Sequence, residues 1–449
     1  MIEQNIALLE SGELLTKNES VIFDKIRSAG DHFGNKVVCR VAGGWVRDKL
    51  LNKECDDIDI CVEGCTSEEF ALQLAEQYPK KATKIVVFEE NPKQAKFMKT
   101  VRVCIYGSAW IDICNLRGEN LVATALTDAQ HRDLSINALF YNITDSKVED
   151  FVGGIQDLKN QVIRTPISPD VTFTEDPLRI IRSIRFHVRY GYKIDENLLE
   201  IAKLHLSDFE QRVSKERIAS EIIKIIRMDG FIEFVDLIIK IGFFETIFDP
   251  FHRYSIDPLQ ARERLSIVTQ RSPKEFVIPI QLGAILFPIY NEEPVPDPEH
   301  PKTKIPPIEC TICRYLKFLT KYAHEANILV KGALRANTIK LDRRIVGHWI
   351  REIGPIWPFI KFLIFDQAEY EKCENVLYNF IREQGLATCY DMKCLINGKD
   401  LANLLGVKLG KGFQTHVDDL IDWQLGNPNG TREDYIEFIK NKKFNCLFE

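Results

Sequence analysis

Two periodicities divide this chain, and the point where one gives way to the other limits the folds open to it. Between residues 36 and 141, short β-branched runs end at glycine or polar residues. KVVCRVAGG and DIDICVEG read as strands on either side of the short helix WVRDKLL, and KIVVFEE, KTVRVCIYG and AWIDICNL as further strands. From Pro177 onward apolar residues recur at three and four, with Pro and Gly mostly between segments, so the remainder is expected to be helical. The fold class that follows is an α/β head succeeded by all-α domains. Cores stop growing near ~250 to 300 residues, so a chain of 449 residues is expected to hold several domains. The proline-rich stretch from Pro288 to Pro307 reads as a linker or insertion in the helical part, and GNPNG, from Gly426 to Gly430, as a turn before a last helix.

Composition narrows the function classes. A hydrophobic fraction of 45% with 28% charged residues is that of an ordinary globular chain and excludes wholesale disorder. A net charge of −6 argues against coating nucleic acid through bulk charge, while leaving room for local basic stripes. No run of 18 apolar residues occurs, so no membrane span is expected. Glu3, Glu10 and Glu13 suit neither a transit peptide nor a signal peptide, which points to the cytoplasm, with the nucleus or mitochondrion as further compartments. The 12 cysteines are therefore read as reduced thiols. Cys310 and Cys313 form a C-x-x-C, but no second pair with zinc-site spacing follows; Cys61 and Cys65 are a weaker pair still.

The chemistry concentrates in three places. Gly43-Gly44 lies at a strand-to-helix junction, where glycine lets phosphate oxygens approach main-chain N–H groups, and Arg47 is one turn on. Taken alone, such a pair is more often a plain turn. Asp57 and Asp59 are two apart in an expected strand, so their carboxylates share a face and repel unless a cation sits between them. Mg²⁺ suits such oxygen ligands. Ile58 and Ile60 on the alternate face would hold the strand against a core, and Asp56 would point with them, away from the pair. Asp112, in AWIDIC, is either an exposed alternation residue or a third member that activates an attacking hydroxyl in a two-metal displacement.

The third place is the helix opened by Glu175-Asp176-Pro177, with Thr174 as a candidate cap. Asp176 and Arg179, three apart, could form a plain ion pair worth only ~0.2 to 0.5 kcal/mol. They could instead read a base edge. Cytosine and adenine each present an amino donor beside a ring-nitrogen acceptor, matching an Asp acceptor and an Arg donor, whereas guanine and uracil present the reverse and leave polar groups unpaired. Arg182, Arg185 and Arg189 continue the stripe with no acid among residues 179 to 190, which suits contact with a triphosphate or RNA backbone. Phe186 and Tyr190 read as core. Ser214-Lys215-Glu216-Arg217 followed by Glu221 reads as a helix start with an i,i+4 pair.

RVAGGWVRD, then DIDI, HRDLSINALFYN, EDFVGGIQDL and EDPLRIIRSIRF, resembles the ordered motif series of the class II CCA-adding enzymes, the tRNA nucleotidyltransferases of the polymerase β superfamily. The resemblance runs from about Arg40 to Ile226, and LFYN, VEDFVGG and RTPISP resemble eukaryotic members. It implies a catalytic head over 1–147, a nucleotide-selecting neck over 148–228, a helical body over 229–350 and a tRNA-binding tail over 351–449. It implies that Asp57 and Asp59 ligate two Mg²⁺ ions, that Gly43, Gly44 and Arg47 hold the triphosphate, and that Asp176 and Arg179 choose CTP and then ATP. Arg132 and Asp133, with Asn137 nearby, fall where the family contacts the nucleotide's sugar and phosphates. His131 stands where most members have Arg, and Ser135 and Asn137 also fit a simple strand-to-helix turn.

By the same resemblance, the stretch from Val86 to Lys99, with Glu89, Glu90 and Pro92, is a mobile loop governing the switch from C to A. LINGKDLANLLGVKLGKGFQ, with glycines at 398, 406, 410 and 412 and Lys399, Lys408 and Lys411, reads either as a grip on tRNA phosphates or as an ordinary inter-helix turn. The expected partners are tRNA, CTP and ATP. The rivals are a poly(A) polymerase of the same superfamily, a C-only or A-only specialist, and a catalytically silent RNA-binding protein. A kinase is excluded by the lack of a G-x-x-x-x-G-K-[ST] loop.

Overall fold

The computed structural model describes residues 1–34, 36–55, 57–77, 84–88, 99–105, 109–116, 124–249, 253–408, 410 and 412–445. Its chain divides into two compact units, Met1–Phe243 and Phe244–Glu449. In the first unit, β1 (Val38–Ala42), β2 (Asp59–Glu63), β3 (Lys84–Phe88), β4 (Thr100–Ile105), β5 (Ala109–Asn115), β6 (Leu139–Asn142) and β7 (Lys147–Asp150) form one sheet in the order β3-β4-β5-β2-β1-β6-β7. Only β2 and β5 pair in parallel, with Asp59 opposite Asp112 and Cys61 opposite Cys114; the other neighbours are antiparallel.

Strict alternation gives the sheet two unlike faces. Val41, Ile60, Val62, Val101, Val103, Ile111, Ile113 and Tyr141 point into the main core. There they meet side chains from α1 (Ile2–Glu10), α2 (Lys17–Asp31), α3 (Gly44–Leu50) and α4 (Ser67–Glu76). The opposite face carries Asp59, Cys61, Arg102, Asp112 and Cys114, and its small cluster of Ala42, Cys61, Ala138 and Phe140 includes Ala129 from α5 (Ala125–Gln130). The polar half of the alternation thus carries the candidate carboxylates Asp59 and Asp112.

The helix after the Gly-Gly turn is fixed from behind. Thr16 and Glu19 form a capping box at the start of α2. The Glu19 carboxylate also accepts from Trp45 Nε1 at 2.8 Å and Lys49 Nζ at 2.7 Å, both on α3. Phe23 meets Trp45 edge-on with ring centroids 5.5 Å apart.

Helices complete the first unit: α6 (Gly154–Asn160), α7 (Pro169–Glu175), α8 (Leu178–Tyr190), α9 (Glu196–Leu204), α10 (Leu206–Arg212), α11 (Lys215–Ile226) and α12 (Phe231–Lys240). Two expectations are corrected here. Thr174 is not the cap of α8, because it lies in the last turn of α7; the chain turns at Asp176, which is extended, and its carboxylate accepts from Leu178 N at 3.2 Å. Asp57 is not in the strand, which starts at Asp59, so the two carboxylates share a chain end rather than a strand face. Asp56 lies outside the described residues.

The second unit is helical, with Thr320–Ala336 and Arg343–Ile353 among its longer helices. The proline-rich stretch is more ordered than a linker, since Val295–Pro296 pairs with Lys304–Ile305 and Asp297 takes both Arg314 Nε and Nη2 at 2.9 Å. Cys310 and Cys313 are buried in a π-helical turn, Cys310–Tyr315. Gly406 ends the helix Gly398–Leu405 in the left-handed region and Gly412 caps Phe413–Gly426 likewise, so these two glycines serve an inter-helix turn; Lys411 lies outside the described residues, as do Glu89, Glu90 and Pro92. Among the described residues no helix is long and apolar enough to cross a membrane.

Burial raises the pKa of Glu19, but hydrogen bonds from Lys49, Thr16 N and Trp45 outweigh it and hold the group below its ordinary value. Its stabilising effect is therefore complete above the ordinary glutamate range, near ~4.3, and is lost as pH falls through the lowered folded value. Glu19→Gln should cost about 1–3 kcal/mol at pH 7 in denaturant melts. The gap to wild type should close in acid; a gap that persists there would assign the loss to packing instead.

Candidate active site

At the end of β1 the chain makes a turn that selects glycine. Gly43 has φ 72° and ψ −116°, and a Cβ there would stand 2.8 Å from Arg132 Nη1 and 3.1 Å from the Asn137 carbonyl. Both the positive φ and the close approach exclude a side chain. The turn opens α3, whose Arg47 is buried and locked. Its Nε and Nη2 reach Asp48 at 2.9 Å each, its Nη1 donates to Asn137 Oδ1, and its guanidinium lies 5.2 Å from the ring centroids of both Phe186 and Tyr190. Phe186 joins the main core, as expected, and also lines the cleft.

The HRDLSIN segment supplies the next wall. Asp133 Oδ2 accepts from Arg182 Nε at 2.8 Å and Nη2 at 2.6 Å, while Oδ1 accepts from Asn137 Nδ2 at 3.0 Å and Leu134 N at 2.9 Å. Arg132 is folded inward onto Asp128, with Nη2 to Oδ2 at 2.8 Å, and over the Phe140 ring. Burial disfavours its charge, but Asp128 more than offsets this and its pKa stays raised. His131 Nδ1 lies 2.6 Å from Glu175 Oε1, and the His131 carbonyl accepts from Arg179 Nη2 at 2.7 Å.

Asp176 and Arg179 are held by separate partners rather than by each other. Arg217 grips both oxygens of Asp176 at 3.1 and 2.6 Å, and Arg179 Nη1 donates to Glu175 at 2.7 Å. Arg217 thus turns to Asp176, while Glu221 takes Arg185 and lies 3.6 Å from Arg182. Nor is the arginine stripe unneutralised. Its acids come from other elements: Asp133 and Glu221 for Arg182, Glu221 for Arg185, and Asp48, at 3.7 Å, for Arg189. Arg217 and Glu221 were missed as residues supporting the site, since Asp176 and Arg185, their partners there, are distant in sequence.

Asp59 heads β2 at the mouth of the cleft. The protein packed around it and the charges of Asp112 and Asp57 raise its pKa, against the pull of Arg132 and Arg102. Asp112, in register beside it, has both oxygens taken by Arg102, through Nε and Nη2 at 2.6 Å. Among the described residues no three His, Cys, Asp or Glu side chains are arranged to hold a metal. The donor chemistry nevertheless fits a hard divalent cation: crowded carboxylates, one with its pKa raised by the others, would be relieved by one.

Eleven of the expected site residues line one cavity of about 440 Å³: Gly43, Gly44, Arg47, Asp59, Arg132, Asp133, Asn137, Asp176, Arg179, Arg182 and Arg185. Asp57 and Asp112 do not line it. Seven arginines and three aspartates line its walls, counting Arg189 and Arg217, with further acids behind the arginines.

A mixed sheet with a Gly-Gly turn, strand carboxylates and an arginine-lined cleft defines a nucleotidyltransferase, and residues 39–164 match the poly A polymerase head domain. The chain is 31% identical to the tRNA nucleotidyltransferase cca1 of Schizosaccharomyces pombe, over 97% of each chain. It is 28% identical to the mitochondrial CCA tRNA nucleotidyltransferase of Saccharomyces cerevisiae, over 98% of this chain and 96% of that one. The Thermotoga maritima CCA-adding enzyme, solved complexed with tRNA, shares the fold with a TM-score of 0.68 at 21% identity, covering 97% of this chain and 98% of that one. The chain belongs to the family of CCA-adding tRNA nucleotidyltransferases.

Burial raises the Glu221 pKa, but Arg185, Arg182 and Lys224 together bring it below its ordinary value. Removing one partner of such a buried pair strands the other's charge. Glu221→Ala should therefore destabilise the first unit by about 3–5 kcal/mol in denaturant melts; a loss below about 1 kcal/mol would show that Arg185 finds water or another acid.

Proposed function

We propose that this chain adds C, C and A to the 3′ end of tRNA from CTP and ATP, with no nucleic-acid template. The observation that carries the reading is the convergence of eleven expected residues on one arginine-lined cavity, in a chain of this family. The Gly43-Gly44 turn and Arg47 hold the incoming triphosphate, aided by Arg182 and Arg185. Arg132, Asp133 and Asn137 bound the sugar and phosphates. Asp176 accepts from the amino group of cytosine or adenine, and Arg179 donates to the adjacent ring nitrogen. Arg217 keeps Asp176 aimed, while Glu175 and the His131 carbonyl fix Arg179.

Asp57 and Asp59 would hold Mg²⁺, two ions in this reading, which when bound neutralises the developing charge on the α-phosphate and leaving pyrophosphate. Asp112 takes the proton of the attacking 3′-hydroxyl once Arg102 has released it. We assign the head to 1–147, the neck to 148–228, the body to 229–350, which starts before the boundary of the two compact units, and the tail, with its tRNA contacts, to 351–449. We place the protein in the cytoplasm, with the nucleus and mitochondrion as further compartments; the name of the Saccharomyces cerevisiae relative supports the last.

The test offers tRNA transcripts ending before CCA, after C and after CC, each with one labelled nucleotide and Mg²⁺. Addition of C, C and then A alone is expected. Repeated A addition without prior C would favour a poly(A) polymerase, and a stop after CC a C-only specialist. Asp176→Ala should reduce the preference for CTP over UTP about 10- to 100-fold, the worth of a charged hydrogen bond. Asp59→Ala should abolish every addition while leaving tRNA binding intact. Undiminished discrimination in the first variant, or synthesis by the second, would remove the corresponding assignment.

A further inference from the structure

The cavity fixes one side of the reaction and thereby the other. Of the sheet, its walls take the end of β1, the segment leading into β6, which pairs with β1 away from β2, and Asp59 at the head of β2. In-line displacement places the attacking oxygen opposite the leaving group. With the triphosphate on the β1 side of Asp59, the attacking hydroxyl must arrive over β5, the neighbour of β2 on its other flank. Asp112 marks that approach, in register with Asp59 and outside the cavity.

On the same face of β5, two residues before Asp112 and so ~6.6 Å along the strand, stands Trp110. It is 44% exposed, whereas Trp45, Trp349, Trp357 and Trp423 are all buried. Arg102 pairs opposite Asp112 on β4, and Lys84 pairs with Cys104, the partner of Trp110. An aromatic plane one nucleotide spacing from the reacting carboxylates, flanked by two cations, has the composition of a single-stranded nucleic-acid platform.

We propose that Trp110 stacks against the 3′-terminal base of the RNA acceptor and so positions its hydroxyl over Asp112. This rests on the assignment of Asp59 and Asp112 to the reaction centre. Stacking accepts either pyrimidine or purine, because every base offers a π face. Such a contact serves acceptors ending before CCA, after C and after CC alike.

The other four tryptophans are buried away from an arriving acceptor, so the part of the intrinsic fluorescence change that wild type shows and a Trp110 variant lacks reports on this contact. Titration with tRNA lacking CCA, without nucleotide, should quench that part, and Trp110→Phe, which keeps an aromatic ring, should lose this quench and raise acceptor KM less than Trp110→Ala does. Trp110→Ala should raise KM for each of the three acceptors about 5- to 100-fold, as expected for loss of one stacked base, and leave KM for CTP within about twofold. A thermal melt equal to wild type establishes that the variant is folded. Unchanged acceptor KM in a folded Trp110→Ala, or an equal rise in KM for CTP, would overturn the proposal. If Asp59→Ala is inactive while Trp110→Ala is unaffected, only the stacking role falls; if Asp59→Ala is active, the reaction-centre assignment falls first.

Discussion

The carboxylate of Asp133 is the joint on which the site depends. One oxygen takes the Asn137 amide and the Leu134 N–H, fixing the turn before β6; the other takes Arg182 from α8. The element that would hold the triphosphate is thereby tied to the helix that would choose the base. Asn137 extends the joint, since its Oδ1 receives Arg47 from α3. Three segments widely separated in sequence thus meet through one acid and one amide. In water such contacts would be worth little; within packed walls each holds a charge that would be expensive to strand.

The arginines illustrate a balance between holding an anion and surviving without one. Seven unopposed guanidinium groups around one cavity would repel one another strongly. The fold supplies acids behind them: Asp48 behind Arg47, Asp128 behind Arg132, Glu175 behind Arg179 and Glu221 behind Arg185. Each carboxylate satisfies part of its guanidinium and sets its direction. A triphosphate would then meet an array that is already oriented, so less entropy is lost on binding.

The sequence made the local elements legible and left the long-range pairings hidden. Gly43-Gly44, the β-branched runs and the shift to helical spacing near Pro177 depend on neighbours within a few residues, so pattern alone found them. Asp176 and Arg179, the pair proposed to read the base, could be singled out because their spacing and chemistry fit one ligand edge. Their supports could not. Arg217 lies 41 residues from Asp176 and Glu221 lies 36 from Arg185. No periodicity links such positions, and the arginine stripe looked bare because its acids belong to other elements. The Asp57–Asp59 spacing misled in a different way: alternation suggested one strand face, but β2 pairs with β5 only from Asp59 onward.

That late start of β2 has a consequence for catalysis. Asp59 has its backbone held by pairing with Asp112 of β5, one residue before β2 also meets β1 at Ile60, whereas Asp57 precedes the ladder and has no strand pairing to hold it. Asp112 is held differently again, rigid in backbone but with its side chain occupied by Arg102. The three carboxylates therefore stand in graded states of readiness: one presented, one adjustable and one withheld. The Arg102–Asp112 pair is partly exposed, and the backbone phosphate of an arriving acceptor would compete for Arg102 and favour release of Asp112. Activation of the hydroxyl would then wait on the presence of the RNA end, and a bound nucleotide alone would face an incomplete centre.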